Sequence, residues 1–252
     1  MARLLIGTCS WKYPSWNRIV YSRPKYINYL EEYARKYNTV EIDQWFWSLF
    51  GPDSIKLPDS GTVSDYLASV SSDFRFTVKV PNSITLSHYY KKKGEKDITP
   101  NPYFLSPDLF NQFLERIEPL SSNIGGLIFQ FEYLNKKKMR SQGDFLSKLS
   151  SFFDHVPWKY RYAIETRNTN YLNEQYFASL SQSGLFHVFS EGYYLPHIFD
   201  LYNKFGAYIN DFSIIRLLGF DREGIEEKTG KRWDAIIDPK DDIDTEIAKM
   251  TK

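Results

Sequence analysis

Short apolar runs recur along this chain, each the length of one β-strand, and helix-length amphipathic stretches separate them. The strand-like runs are residues 4–10 (LLIGTCS), 39–43 (TVEID), 74–80 (FRFTVKV), 126–130 (GLIFQ), 162–166 (YAIET), 185–190 (LFHVFS) and 213–217 (SIIRL). β-Branched and aromatic residues dominate them. Three helical stretches carry clear punctuation. Pro24 opens one that runs to Asn38, with Ile27, Leu30, Ala34 and Tyr37 on a shared face. Ser106 caps a second, whose stripe is Leu109, Phe113, Leu114 and Ile117. Asn173 opens a third, and Gly184 ends it in a left-handed turn.

Strands alternating with helices build a parallel sheet, which makes this an α/β chain. That many units in 252 residues fit a TIM-type (β/α)8 barrel better than a doubly wound sheet. No glycine-rich phosphate fingerprint follows the first strand, which argues against a dinucleotide fold. No linker composition and no repeat divides the chain, so residues 1–252 read as a single domain. After Leu217 there is only a polar loop and one helical stretch, residues 241–251. The barrel is therefore expected to lack its last strand and helix, as a C-terminally truncated chain would.

Alternation along the strands predicts what points inward. Val40 and Ile42 suit the helix side, so Glu41 and Asp43 face the interior. The apolar stripe of 74–80 leaves Arg75, Thr77 and Lys79 inside. The same logic turns Glu165, Arg167 and Arg216 inward, and Gln130 ends its strand. All but Arg75 and Thr77 sit late in their strands, at the carboxyl end where barrel enzymes place their chemistry. Buried charges are costly, so their convergence implies mutual pairing, a ligand, or both. Glu41 and Glu165 are the candidate acid and base and Lys79 the candidate electrophile. Arg167 and Arg216 are candidates to clamp an anion. The competing interpretation is a self-satisfied layer of ion pairs plugging the barrel.

Aromatic residues make up 17% of the chain, and several follow the first two strands: Trp11, Tyr13 and Trp16, then Trp45, Phe46 and Trp47. They would either stack on a flat ligand or fold back as core. The long segment from Pro81 to Leu105 reads as a lid or binding loop carrying His88 and the lysines 91–93 and 96. A second basic run, Lys136–Lys138 with Arg140, follows the fourth of the predicted barrel strands to be counted from residue 4. Net charge is only +1, so nucleic-acid binding would rest on these local patches. The four histidines form no paired-ligand motif, so no metal site and no cofactor is expected. A divalent ion on Glu41, Asp43 and Glu165 is the weaker alternative, since nearby lysine and arginine compete for those carboxylates. The lone Cys9 can form no internal disulfide, and no export signal or eighteen-residue apolar run is present. A cytoplasmic protein without membrane contact is the expectation.

The motifs GTCSWKYPSW (7–16), NTVEID (38–43), FRFTVKVPNSIT (74–85), FQF (129–131), AIETRN (163–168) and IIRLLG (214–219) occur in one order along the chain. In this the sequence resembles the domain of unknown function 72 family, the YecE-like proteins. The resemblance implies a TIM-type barrel and no settled activity. It implies recurrent polar positions at Ser10, Trp11, Tyr13, Trp16, Glu41, Lys79, Pro81, Glu165, Arg167 and Arg216. The chain departs from the family pattern in three places. Leu86-Ser87 separates His88 from Ile84-Thr85, Phe131-Glu132-Tyr133 stands where Leu-Pro-Pro is usual, and the final asparagine-bearing strand is absent.

Three functions follow from these residues. The first is a cofactor-independent acid–base enzyme, of hydrolase, isomerase or lyase type, acting on a small polar, anionic or sugar-like substrate. Ser10, Trp11, Tyr13, Trp16, Asp43 and Gln130 would join the arginines in binding it. The second is a nucleic-acid-binding or nucleic-acid-processing protein. The third is a non-catalytic protein that binds a small ligand in the same place. Oligomeric state cannot be read from this chain.

Overall fold

The computed structural model describes residues 3–22, 27–52, 54–90, 97–192, 194–219, 221–237 and 245. Its centre is a six-stranded, all-parallel sheet. The strands are β1 (Thr39–Ile42), β4 (Arg75–Lys79), β5 (Ile124–Phe131), β6 (Tyr162–Thr166), β7 (Phe186–Glu191) and β8 (Ile214–Leu217), paired in that order. A small antiparallel pair, β2 (Leu49–Gly51) and β3 (Ser54–Ile55), rises between β1 and β4. Helices fill the crossovers: α1 (Tyr29–Ala34), α2 (Ser60–Ala68), α3 (Asn82–Thr85), α4 (Pro107–Ile117), α5 (Gln142–Phe153), α6 (Glu174–Gln182), α7 (Ile198–Phe205) and α8 (Arg222–Thr229).

Local chemistry sets most of these boundaries. The Ser106 hydroxyl accepts from the Leu109 amide and starts α4, with Pro107 in the first turn. Ser141 and Asn173 do the same for α5 and α6. Gly184, at φ +67°, turns the chain from α6 into β7. Helix α1 begins later than the proline at position 24 predicts. Asn28 caps it, accepting from the amides of Leu30 and Glu31. An Asn cap satisfies donors that a proline only removes, and it decides where the helix starts. Pro24 itself, like Lys91–Lys93 and Lys96, lies outside the described residues, and of the helix expected over 241–251 only Thr245 is described.

The first expected strand is the clear departure. Residues 4–10 run beside β1 without joining its ladder, and one backbone bond, from the Glu41 amide to the Thr8 carbonyl (3.0 Å), links them. The reason is a side chain. The Tyr33 hydroxyl accepts from the Thr8 amide (2.9 Å) and donates to the Thr39 carbonyl (3.1 Å), occupying the place of a ladder bond. The approach is still close, because a Cβ on Gly7 would lie 2.0 Å from the Thr39 carbonyl oxygen. Leu4 and Ile6 are left exposed. The described sheet thus has six paired strands where seven were expected.

The helix side of the sheet carries the main core. Phe129 of β5 packs against Phe110 of α4 (5.2 Å between ring centroids) and Phe153 of α5 (5.2 Å), with Tyr162 of β6 closing the cluster. The other face carries a separate, smaller apolar cluster: Ile128, Ala163, Val188 and Ile214, with Phe186 and Phe212 beneath. These residues occupy alternate positions on four adjacent strands, so they mark the concave interior. The sheet curls far enough that the Arg216 side chain of β8 reaches Glu41 of β1, at the opposite end of the strand order.

The segment after β4 is not a loose lid where it is described. Residues 81–87 are buried. The Asn82 carboxamide accepts from the amides of Ser48 and Leu49 (both 3.0 Å), and Asn101 donates to the carbonyls of Ser83 and Leu86. This buried polar network pins the segment to the loop after β1.

Candidate functional site

One step beyond the apolar interior cluster, toward the carboxyl ends of the strands, the interior becomes ionic. Glu41, Lys79, Gln130, Glu165 and Arg216 come from five different strands and meet there. Arg216 is the hub. Its Nε and Nη2 bind the two oxygens of Glu41 at 2.9 and 3.0 Å, a bidentate fork. Its Nη1 reaches Glu165 Oε2 at 2.7 Å and the Gln130 carboxamide oxygen at 3.3 Å. Glu165 Oε1 pairs with Arg167 Nη2 at 2.8 Å. Two guanidiniums thereby lie against all four oxygens of the two glutamates, three through hydrogen bonds and Glu165 Oε1 through an ion pair alone.

Lys79 stands outside that arrangement. Only 9% of it is exposed, yet among the described residues its ammonium makes no hydrogen bond and no ion pair within 4 Å. Its Nζ lies over the face of Phe46, 4.0 Å from the ring centroid. Burial pulls its pKa down, and Arg216 adds to that. Glu41, Glu165 and Asp43 act in the opposite sense. Burial pushes the Glu41 carboxyl up against the pull of Arg216 and Lys79. For Arg216, burial works downward, but Glu165 and Glu41 outweigh it and hold the guanidinium protonated.

Two further residues lie at this level, and the first of them, Ser190, has no counterpart in the sequence reading. Ser190 of β7 lies in register with Arg216, is buried, and its hydroxyl has no partner among the described residues. Its strand alternation with Val188 would have placed it inside. Cys9, an exposed residue, lies with its thiol beside Arg216; desolvation and then Glu41 push that thiol up.

The other expected site residues scatter. Trp11 is core, edge-on to Tyr66 at 5.0 Å, and Trp45 stacks on the same ring at 5.6 Å. Tyr13 and Trp16 pack on each other at 4.5 Å, and the Trp16 indole donates to the Trp233 carbonyl, so this pair faces the C-terminal segment. Ser10 is half-buried, and its carbonyl accepts from the Thr8 hydroxyl. Asp43 is half-buried at the end of β1, near enough to Lys79 and Cys9 to influence both. Trp47 and Tyr90 are exposed, with centroids 6.4 Å apart. His88 belongs to a separate rim cluster. Its Nδ1 lies 3.0 Å from the Ser87 hydroxyl, which donates to Glu132 at 3.3 Å, and Glu132 is ion-paired to Lys138. Burial, then Lys138, lowers the His88 pKa. Lys136 and Lys137 are exposed on a turn held by Asn135.

Among the described residues no group of three His, Cys, Asp or Glu is arranged to hold a metal ion, and no helix is long and apolar enough to cross a membrane.

Residues 5–245 match the family described as "Protein of unknown function DUF72". The chain belongs to the DUF72 family. It is 27% identical over 168 residues to the UPF0759 protein YecE of Escherichia coli K12, a match covering 67% of this chain and 50% of that protein. YecE of E. coli O157:H7 gives the same figures. The chain thus spans about half the length of the curated relatives it matches. Among solved structures, a DUF72 protein of Thermotoga maritima MSB8 superposes with TM-score 0.53 at 22% identity, covering 76% of this chain and 66% of that one. A DUF72 protein of Enterococcus faecalis V583 gives TM-score 0.53 at 19% identity, covering 75% and 61%. These two likenesses speak to the α/β fold alone.

Proposed function

We propose that this DUF72 chain is an enzyme of the cofactor-independent acid–base kind, working on a small anionic or sugar-like substrate at the carboxyl ends of a partial TIM-type barrel. The observation that carries this reading is Lys79. A buried ammonium left without a carboxylate is expensive, and a purely structural ion-pair plug has no use for it. The carboxylates around it are held by Arg216 and Arg167, so the ring reads as a rigid frame built to present one group.

The geometry revises the roles within that reading. Arg216 is fully engaged in holding Glu41 and Glu165 and acts as a positioning residue. Anion recognition then falls to Lys79 and to Arg167, whose side chain is 18% exposed at the mouth. Glu41 and Glu165 remain the candidates for proton transfer, since each of their oxygens keeps a lone pair beyond its guanidinium contact. Ser190 supplies an unspent hydroxyl for a substrate oxygen.

Thermal unfolding of the protein in the presence of sugar phosphates, small carboxylates and neutral sugars tests this. Stabilisation by an anionic class, abolished in Lys79→Met, supports the pocket, and turnover lost in Glu165→Gln then supports catalysis. Stabilisation without turnover of the stabilising compound would leave a ligand-binding protein. No stabilisation by any class would overturn the reading in favour of an ion-pair plug.

A further inference from the structure

We propose that Lys79 is a covalent nucleophile that captures a small carbonyl compound, one bearing a carboxylate or phosphate, as an imine. The proposal rests on the enzymatic reading above and gives it a substrate class.

Three features of the site lead here. First, Lys79 is the cation that the ring does not use, because the four glutamate oxygens are taken by Arg216 and Arg167. Its nitrogen is free to form a bond without dismantling an ion pair. Second, it ends β4 and lies over Phe46, an apolar face that favours the uncharged amine by burial yet tolerates a cation by its ring quadrupole. A lysine desolvated in this way is the form in which amines attack carbonyl carbon at neutral pH. Third, the partly exposed Arg167, which follows β6 and pairs with Glu165 of the same ring, has planar donors that suit a carboxylate or phosphate on the same molecule.

The chemistry balances without an added reagent. The amine lone pair forms the C–N bond as the carbonyl π pair moves to oxygen. One proton from nitrogen passes to that oxygen to give the carbinolamine. A second proton follows as water leaves, and the nitrogen keeps the third. An ammonium and a carbonyl thus become a protonated imine and water, with the same single positive charge before and after. The charge over Phe46 is conserved through bond formation, so the only new charge that the neighbouring ion pairs meet is the substrate's own anion. The protonated imine then draws electrons from the adjacent carbon and makes its proton acidic, the step that the acid–base reading requires.

The test is reductive trapping. The full chain is incubated with dihydroxyacetone phosphate or pyruvate, reduced with sodium borohydride, digested and mapped by mass spectrometry. The expected result is one dominant adduct on the peptide containing Lys79, at least tenfold above any other lysine and absent from Lys79→Met. Adducts spread over surface lysines at equal levels, unchanged in Lys79→Met, would overturn the proposal, as would no adduct with either compound. Thermal unfolding with glycerol 3-phosphate and lactate, which carry the anion without the carbonyl, separates the two claims. Stabilisation by these with no Lys79 adduct leaves the anion pocket standing and removes the imine, whereas neither stabilisation nor adduct removes both. Lys79→Arg keeps the charge and loses the nucleophile, so it should retain anion stabilisation and lose the adduct.

Discussion

The interior of this sheet has two storeys built from the same strands. The lower one is apolar: Ile128, Ala163, Val188 and Ile214. Two residues further along each strand, the positions become Gln130, Glu165, Ser190 and Arg216. The backbone barely distinguishes the two levels, since the same parallel ladders run through both. What differs is how each level is stabilised. The lower storey gains from removing apolar surface from water and tolerates any filler of the right volume. The upper storey holds charges that only specific partners can satisfy, so its members depend on one another.

The sharpest break of that contrast is Arg216→Met. It leaves Glu41 and Glu165 buried without their shared cation and should cost about 3–5 kcal/mol at pH 7, measured by urea denaturation. The sign of its pH dependence is a second readout. Buried carboxylates deprived of a counter-ion have raised pKa values in the folded state, which then takes up protons before the unfolded chain does. The variant should therefore recover stability as pH falls from 7 toward 5. Ile128→Ala, one storey down, should cost about 2–5 kcal/mol through its cavity, with no pH dependence of its own and no effect on ligand stabilisation.

His187 sharpens the comparison from the helix side of β7. It is buried against Phe177 and accepts or shares a hydrogen bond with the Tyr176 hydroxyl at 3.1 Å. Desolvation pulls its pKa down to about 3. The folded state therefore keeps it neutral while the unfolded chain protonates it near pH 6.5. Stability that is present above pH 6.5 is lost as pH falls from there toward 3, by up to about 1.4 kcal/mol per pH unit. Denaturation midpoints at pH 7 and pH 4.5 should show this loss in the wild type and a smaller one in His187→Gln. The least costly change should be Lys79→Met. Removing a buried charge without a carboxylate should leave stability within about 1 kcal/mol of wild type or raise it. A large destabilisation would show that Lys79 is structural after all.

Much of this plan was legible in the sequence. Six strands lie within a residue or two of the runs rich in β-branched and aromatic residues, because burial on both faces demands such runs. Residues 4–10 have a strand's pattern but stay outside the ladder, because their exclusion depends on the Tyr33 hydroxyl, a contact that no strand pattern encodes. For helix α1 the proline is the more conspicuous signal in the sequence, but the Asn28 cap decides where the helix starts. Alternation alone put Glu41, Lys79, Glu165, Arg167 and Arg216 inside, but not which carboxylate meets which cation. That pairing depends on how the six strands are staggered around the curl, a property of the assembled sheet. The aromatic loops were ambiguous for a related reason: Trp11 and Trp45 became core only because α2 brings Tyr66 between them.

The bond between Glu41 and Arg216 spans 175 residues of chain. Synthesis delivers the two glutamates long before the guanidinium that compensates them. A chain stopped before β8 would leave Glu41 without its bidentate partner and Glu165 with Arg167 alone. The last described strand therefore does more than extend the sheet. Its arrival is what makes burial of the earlier carboxylates affordable, so the ionic ring and the described sheet come into being in the same event.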